Sequence, residues 1–405
     1  ASVGLIGGYP GLVDFGSTVS SSKGWQIFFG LLMFAIAGAI QLWGWRTLLR
    51  IQNLFFAMVT AALLICGIVA VFQSKSSFIG NFNDFAAKFT DDKDAYHTTI
   101  TAASQAGVNV DPSFSFSATI PIVAVFATTA IFSYWSSFVG GELRQASSIK
   151  TANNMALGGL LPLVLVALFT AIFFRGYGSD FLRAAQGNGL PEGISSPGTP
   201  FFYLSSIGVG SSIYAVVVFV MYIVFWPLIT YISSLQQTRA IFAMSFDGAL
   251  PKSVTRINRN GCPTVALGIA LVLSAIVFIY AVQDQTGFFQ VLAYALLVQL
   301  IAMALVGLSG VLVPRTRPEL YRASSSQRSV AGIPVVSIAG LGAILTAVFV
   351  WWAYLHYDAL GTNANLGKLA FWTVGPAILG ALFYVGVRMV RGSAVEKVYD
   401  EIPPE

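Results

Sequence analysis

The segment Thr119–Glu142 combines the length of a membrane span with side chains suited to binding a polar solute. Its centre, Phe126–Ala130, reads FATTA, and it ends with a Gly-Gly-Glu sequence. An apolar helix with a small, polar centre is typical of the discontinuous helices that bind solutes in membrane transporters. A purely structural interpretation also fits. Threonine in a membrane helix usually bonds to a carbonyl one turn earlier, and paired glycines permit close helix packing.

The composition of the 405-residue chain indicates an integral membrane protein. Its residues are 56% hydrophobic and 10% charged, and the mean hydropathy is +0.75, whereas a soluble domain carries about 25% charged residues. The two histidines, His97 and His356, are isolated, and the two cysteines are not expected to meet, because Cys66 lies inside an apolar run and Cys262 lies in a basic loop. We therefore expect no metal site, no disulfide, no catalytic residues and no cofactor. The basic residues lie in short loops between apolar runs, so no nucleic-acid partner is expected.

Nine uncharged apolar runs follow a Gly- and Ser-rich start, residues 1–22, which is predicted to be a loop. At 1.5 Å per residue, about 20 residues cross a hydrocarbon core of about 30 Å. The runs are continuous rather than alternating, which favours helices over a membrane barrel. The sequence therefore predicts an all-α membrane protein with spans at about 24–43, 51–72, 119–139, 155–174, 211–235, 264–283, 288–313, 333–355 and 369–387.

The distribution of lysine and arginine predicts how the spans are oriented. When the loops are numbered alternately, 15 of the 22 basic residues lie on one side, together with the C-terminus. The positive-inside rule makes that side cytoplasmic, so the protein is predicted to be a multi-pass protein of the cell membrane. With nine spans the N-terminus of this chain would lie outside. An external start without methionine predicts a fragment that has lost N-terminal helices.

The loops differ in character on the two sides. The predicted external loops, 73–114 and 175–210, are longer and polar. The cytoplasmic stretch 236–263 mixes basic and apolar residues, which predicts an amphipathic helix in the interface. A turn at Asp247–Pro251 should follow that helix. Pro227 is predicted to kink the span that contains it.

Four stretches together resemble the amino acid permeases of the amino acid–polyamine–organocation (APC) transporter superfamily. The most specific resembles the Arg-x-x-x-Ala-Met-x-x-Asp-Gly-x-x-Pro loop that follows the family's eighth helix. The others resemble the link before the fifth helix, the exit of the sixth helix and the link after the tenth. In this chain the four stretches are Thr238–Lys252, Gly44–Asn53, Gly140–Arg144 and Arg317–Arg322.

The resemblance implies a LeuT-type fold with two inverted repeats. It numbers the nine spans as helices four to twelve, so the first three helices would be missing from this fragment. The break in the family's sixth helix would then fall on Phe126, Ala127, Thr128, Thr129, Ala130, Ile131 and Phe132. Freed backbone groups and the two threonine hydroxyls would bind the substrate, and Phe126 or Phe132 would cover it. The other half of the site would belong to the missing first helix.

Two further residues are candidates for a gate or for the solute path. Glu142 ends the sixth family helix and would act at an inner gate, although a solvated charge at a helix end is an equal alternative. Gln299 lies mid-span, where an amide bonds either the solute or a neighbouring helix. Asp247 is expected to shape its own turn rather than a gate.

No ionisable residue lies inside any predicted span, so the sequence shows no proton relay. Some superfamily members have a lysine at the position of Val59. The coupling ion, H⁺ or Na⁺, therefore stays open.

We expect a secondary active transporter that moves an amino acid or a related amine by alternating access. The alternative is a non-transporting membrane sensor or scaffold that retains the transporter fold. A membrane enzyme is disfavoured, because no paired carboxylates or nucleophile–base set occurs at membrane depth. The expected partners are a small-molecule solute and the lipid bilayer. The oligomeric state stays open.

Overall fold

The computed structural model of the chain describes residues 2–131, 148–191, 193–194, 200–246, 248–324, 327–360 and 366–391. These residues are almost entirely helical, which confirms the predicted all-α membrane class. The helices are α1 (Ser2–Gly7), α2 (Pro10–Ser21), α3 (Lys23–Leu42), α4 (Trp45–Phe72), α5 (Lys75–Ala86), α6 (Ala95–Gln105), α7 (Phe116–Ile131), α8 (Ile149–Tyr177), α9 (Ser179–Gly187), α10 (Pro200–Val209), α11 (Ser212–Ile223), α12 (Phe225–Phe246), α13 (Thr264–Gln283), α14 (Gln285–Thr316), α15 (Pro318–Ala323), α16 (Val335–His356) and α17 (Leu366–Arg391). Short 3₁₀ helices occupy Lys252–Thr255 and Asp358–Leu360, and strands β1 (Ser329–Val330) and β2 (Ile333–Pro334) form a hairpin.

Most of the predicted spans coincide with a long apolar helix. In the described ranges, seven helical stretches are long and apolar enough to cross a membrane: α3, α4, α11 with α12, α13, α14, α16 and α17. Helices α8 and α9 are bent by 102° to each other and make an eighth if the pair counts as one span. The remaining predicted span, 119–139, begins in α7 and runs beyond the described residues. The count of nine therefore stays a prediction.

The prediction of a loop over residues 1–22 is wrong, because α1 and α2 occupy most of this stretch. Leu5 is buried in a cluster that also contains residues of α10 and α11. Pro10 takes the first position of α2, where its missing N–H removes no helical hydrogen bond. Contacts with distant helices thus outweigh the low helix propensity of a Gly- and Ser-rich stretch.

The region around Pro227 shows the predicted interruption. Helix α11 ends at Ile223 and α12 begins at Phe225, so the irregular point, Val224, lies one turn before the proline. Proline lacks an amide N–H and disturbs the carbonyl four residues before it, which is why the helix is interrupted there. The helix predicted within 236–263 is the last part of α12, which continues to Phe246.

The turn predicted after that helix is confirmed in its described part. Gly248 has a φ of 77°, and the amides of Ala249 and Leu250 both donate to the carbonyl oxygen of Met244. A left-handed glycine with such bonds is a standard helix C-terminal arrangement. The chain therefore leaves α12 abruptly and enters the short 3₁₀ helix at Lys252.

The two predicted external loops form a helical cap rather than irregular loops. Helices α5, α6, α9 and α10 pack there around an aromatic cluster. The ring of Tyr96 stacks on that of Phe181 at a centroid distance of 4.5 Å, and Phe78 lies 4.4 Å from Tyr177. Burial of these large rings stabilises the cap.

The two ends of the helix bundle differ in their number of Lys and Arg residues. At one end, Lys23 Nζ donates to the Gln283 carbonyl oxygen at 3.1 Å, which places the start of α3 beside the end of α13. At the other end, Asn260 Nδ2 donates to the Leu42 carbonyl oxygen at 2.9 Å, which joins the α3–α4 link to the α12–α13 loop. Helix α14 starts beside the end of α13 and runs back to this second end. The described residues between Thr316 and Val335 therefore lie at this end too. We call this end the basic end. Its exposed cations are Arg46, Arg50, Lys150, Lys252, Arg256, Arg259, Arg315, Arg317, Arg322, Arg328 and Arg388.

Candidate functional site

Helix α7 carries most of the predicted substrate-binding residues, and it is continuous from Phe116 to Ile131. The Thr128 hydroxyl donates to the carbonyl oxygen of Val125 at 2.7 Å, which is a bond within the same helix. Over residues 126–131 the structure therefore shows a helix rather than the opened backbone that the resemblance implied. Phe132, the last residue of the predicted break, and Glu142, a predicted gate residue, lie outside the described residues. Substrate binding by residues 126–132 stays a prediction.

One face of α7 is small and packed against other helices. Ala124 is fully buried and Thr128 is 4% exposed, and these two residues lie one turn apart. Ala124 belongs to a buried cluster with Tyr294 of α14 and Val350 of α16. Phe126, one of the two phenylalanines predicted as alternatives for covering the substrate, is exposed. The packed face therefore presents a methyl group and a hydroxyl rather than an aromatic ring.

Gln299 lies on α14 within the same region of the bundle. Its side chain is half-buried, and the next residue, Leu300, is part of the cluster that includes Ala124 of α7. Within the described ranges, no hydrogen bond to another residue holds the Gln299 amide. Both interpretations of this residue, solute path and helix–helix bond, therefore stay open.

The structure brings together a polar cluster that sequence reasoning missed. The hydroxyls of Ser205 (α10) and Tyr214 (α11) are 2.6 Å apart, and the Tyr214 hydroxyl donates to Cys66 Sγ (α4) at 3.3 Å. Tyr177 of α8 is fully buried in the same packed region. Among the described residues, no group lies in hydrogen-bonding position to its hydroxyl. The visible signal was Cys66, a thiol within an apolar span, but the sequence does not show which residues surround it.

A second polar region lies between α3, α4, α12 and the α12–α13 loop. Gln41 Nε2 donates to Ser234 Oγ at 2.6 Å, and Ser234 donates in turn to the Tyr231 carbonyl oxygen at 3.0 Å. Gln41 is 3% exposed, and its Oε1 has no hydrogen-bond partner in the part of the chain that the structure describes. The adjoining cavity of about 20 Å³ is lined by residues that include Thr238, Arg239 and Cys262. One water molecule needs about 10–15 Å³ of such space, so this cavity is far too small for an amino acid.

Burial raises the pKa of the Cys262 thiol, and the positive charge of Arg239 partly opposes that rise. A thiol with a raised pKa is mostly protonated near neutral pH and is therefore a poor nucleophile. Cys262 is buried and contributes to the wall of the cavity.

The Gln41–Ser234 pair gives a testable difference between two substitutions. Ser234→Ala leaves the buried Gln41 N–H without its acceptor, which should cost about 1–3 kcal/mol of stability. Gln41→Met removes the whole amide, including the unpaired carbonyl, and should be close to neutral. Thermal unfolding of the two purified variants in detergent measures this. Equal losses from both changes would contradict the pairing.

The family model described as amino acid permease matches residues 3–383. The chain belongs to the amino acid permease family. No curated protein and no solved structure matches it. The match covers every helix described above apart from a few residues at either end, and it confirms the resemblance found in the four stretches. The permease is thus an all-α membrane transporter of the APC type.

The size of the regions described here distinguishes them as candidate sites. A solute the size of an amino acid does not fit the cavity at the basic end, so that region holds the helices together. The small, hydroxylated face of α7 is the better candidate for solute contact. Among the described residues, no group of three or more His, Cys, Asp and Glu side chains could hold a metal ion.

Proposed function

We propose that the permease is a secondary active transporter that moves an amino acid or a related amine by alternating access. The observation that carries this proposal is the amino acid permease match over residues 3–383. Several membrane-length helices with uncharged centres support it, because alternating access needs helix groups that can rock within the bilayer. The proposal includes a LeuT-type arrangement of nine spans.

We further propose that the basic end faces the cytoplasm. Among the described residues, eleven exposed Lys and Arg residues lie at this end and six lie at the opposite end, where the aspartates of the cap, such as Asp84, Asp94 and Asp180, also lie. Short cytoplasmic loops carry an excess of Lys and Arg. In this orientation Phe116 lies towards the outside and α7 runs inwards.

The proposed solute site is the segment 126–132, with Glu142 and Gln299 in or beside the path. The buried position of Thr128 supports this, because a hydroxyl at membrane depth must find a partner. Its present partner is the Val125 carbonyl oxygen. A bound solute would compete with that bond, so a local opening of α7 would accompany binding.

Flux measurements test the function. The purified full-length protein in liposomes is expected to take up or exchange labelled amino acids, with uptake that saturates and is competed by unlabelled solute. Separate H⁺ and Na⁺ gradients identify the coupling ion. Absence of uptake and of exchange under every gradient would contradict transport and favour the alternative, a membrane sensor that retains the fold.

The site has its own test. Thr128→Val together with Thr129→Val keeps the side-chain shape and removes both hydroxyls. Loss of two hydrogen bonds to the solute, at about 0.5–1.5 kcal/mol each, should raise KM by about fivefold to about 150-fold.

Thr346→Val is the matched control for that experiment. Thr346 also bonds a carbonyl of its own helix, that of Gly342, at 2.9 Å, but it is half-buried on α16 and is not part of the proposed solute site. Its replacement should leave KM unchanged. If the double variant at positions 128 and 129 also leaves KM unchanged, the hydroxyls are structural and solute binding rests on backbone groups.

A further inference from the structure

The segment between α14 and α16 contains a small hairpin of unusual composition. Strands β1 and β2 pair antiparallel, with Val330 opposite Ile333. The two turn residues, Ala331 and Gly332, have φ values of 51° and 79°, as in the tight turns that match the twist of paired strands. The Val335 amide donates to the Arg328 carbonyl oxygen at 2.8 Å and closes the base of the hairpin.

The hairpin exposes an apolar pair. Val330 is 60% exposed and Ile333 is 53% exposed, and Leu320 of α15, earlier in the same segment, is also exposed. Residues that face each other across two strands project from the same side of the hairpin, so Val330 and Ile333 form one apolar ridge. Exposure of both side chains to water is unfavourable, and contact with an apolar phase would remove this exposure.

The bilayer is this apolar phase, because the hairpin lies between two membrane-length helices. Helix α14 ends at Thr316 and α16 begins at Val335, and both are membrane-length helices. The intervening segment must therefore lie at the surface of the bilayer. Apolar side chains in this zone enter the boundary between headgroups and acyl chains.

The charged residues of the same segment indicate which class of lipid it would bind. Between positions 315 and 334 the chain carries four arginines and one acidic residue, Glu319. Arg315, Arg322 and Arg328 are exposed. Arginine binds phosphate oxygens through two parallel N–H donors, and anionic lipids attract such clusters at a membrane surface.

We propose that residues 317–324 and 327–334 form an anchor for anionic phospholipids, in which Val330 and Ile333 enter the bilayer and Arg322 and Arg328 bind lipid phosphates. The anchor depends on the membrane position of α14 and α16 and not on which solute is moved. It would hold the basic ends of these two helices at a constant depth.

A fluorescent probe tests the anchor. The Val330→Cys variant is labelled with an environment-sensitive dye. The native thiols, Cys66 and Cys262, are both buried and should stay unlabelled, which the unmodified protein checks. In vesicles that contain phosphatidylglycerol, the label should show blue-shifted emission and quenching by spin-labelled lipids. The Gln327→Cys variant is the matched control, because Gln327 is exposed, polar and just outside the hairpin; its label should lie at the level of the headgroups and be less blue-shifted and less quenched than the label at position 330.

The lipid dependence separates the two parts of the proposal. Arg322→Gln with Arg328→Gln should abolish the difference between vesicles with and without phosphatidylglycerol, and high salt should reduce that difference. Water-like emission at position 330 in all vesicles would overturn the anchor and favour a protein partner. Quenching that is equal in neutral and anionic vesicles would overturn the anionic selectivity. Both readouts are independent of transport, so loss of flux leaves them unaffected.

Discussion

The Gly340→Ala variant is expected to lose a large part of the stability of the permease. A Cβ atom at this position would press on the Gly307 carbonyl oxygen of α14 and lie 3.1 Å from the Val311 amide nitrogen. Both are backbone atoms of a long helix and cannot move aside individually. Small residues allow helices to approach closely in membranes, where packing rather than the hydrophobic effect holds them together. Relief of the clash should cost about 1–3 kcal/mol or more, because α14 and α16 must separate.

Gly342→Ala provides a control on the same helix. A Cβ atom there meets nothing within 4 Å, and alanine has a higher helix propensity than glycine. Its melting temperature in detergent should equal or exceed that of the unmodified protein, whereas that of Gly340→Ala should fall by several degrees. Equal melting temperatures for the two variants would show that α14 and α16 are further apart than described.

Gly178→Ala is expected to have a second large effect, at the bend between α8 and α9. Gly178 has a φ of 91°, a conformation that residues with a Cβ atom adopt at a cost of about 1–2 kcal/mol. An added Cβ would also overlap the Tyr96 hydroxyl and lie 2.7 Å from Asp180 Oδ1. The Tyr96 hydroxyl donates to the Tyr177 carbonyl oxygen at 2.9 Å. The substitution should therefore break this bond and loosen the aromatic cap.

Gly189→Ala separates the two causes. Gly189 has a φ of 85°, but a Cβ there meets nothing within 4 Å. This variant should show the backbone strain alone, and Gly178→Ala should lose clearly more stability. Hydrogen exchange of α5, α6 and α9 locates the loss in the cap. Equal losses in the two variants would mean that the contacts of Tyr96 and Asp180 contribute little.

The membrane spans could be predicted from the sequence for a simple physical reason. The bilayer demands about 20 apolar residues in a helix for each crossing, and this demand is local. The stretches 264–283 and 333–355 therefore agree with α13 and α16 to within two residues. The interruption before Pro227 was predictable in the same way, since a missing amide acts within one turn.

The cap and the first helices could not be predicted this way. The aromatic cluster joins Phe78, Tyr96 and Phe181, which are far apart in the chain and lie in stretches with ordinary polar composition. Residues 1–22 have the composition of a loop, yet Leu5 finds a buried place against distant helices. Tertiary contacts decided both outcomes.

The candidate site also combines features that the sequence predicts with features that depend on tertiary packing. A hydroxyl pair within an apolar run, Thr128 and Thr129, could be singled out from the sequence. That Thr128 is buried and donates to the Val125 carbonyl oxygen depends on how α7 packs. The group of Cys66, Ser205 and Tyr214 was invisible beforehand, because its members lie on three separate helices.

The sequence by itself determined that this protein is an all-helical membrane protein of the amino acid permease family, since apolar runs, loop charges and short motifs are properties of neighbouring residues. Only the tertiary structure decided which glycines allow helices to touch, which polar groups are buried together and where apolar side chains stay exposed. Those outcomes depend on contacts between residues that are distant in the chain. Gly340 and Gly342 show this most directly: they differ by two positions in one helix, and only one of them faces the backbone of α14.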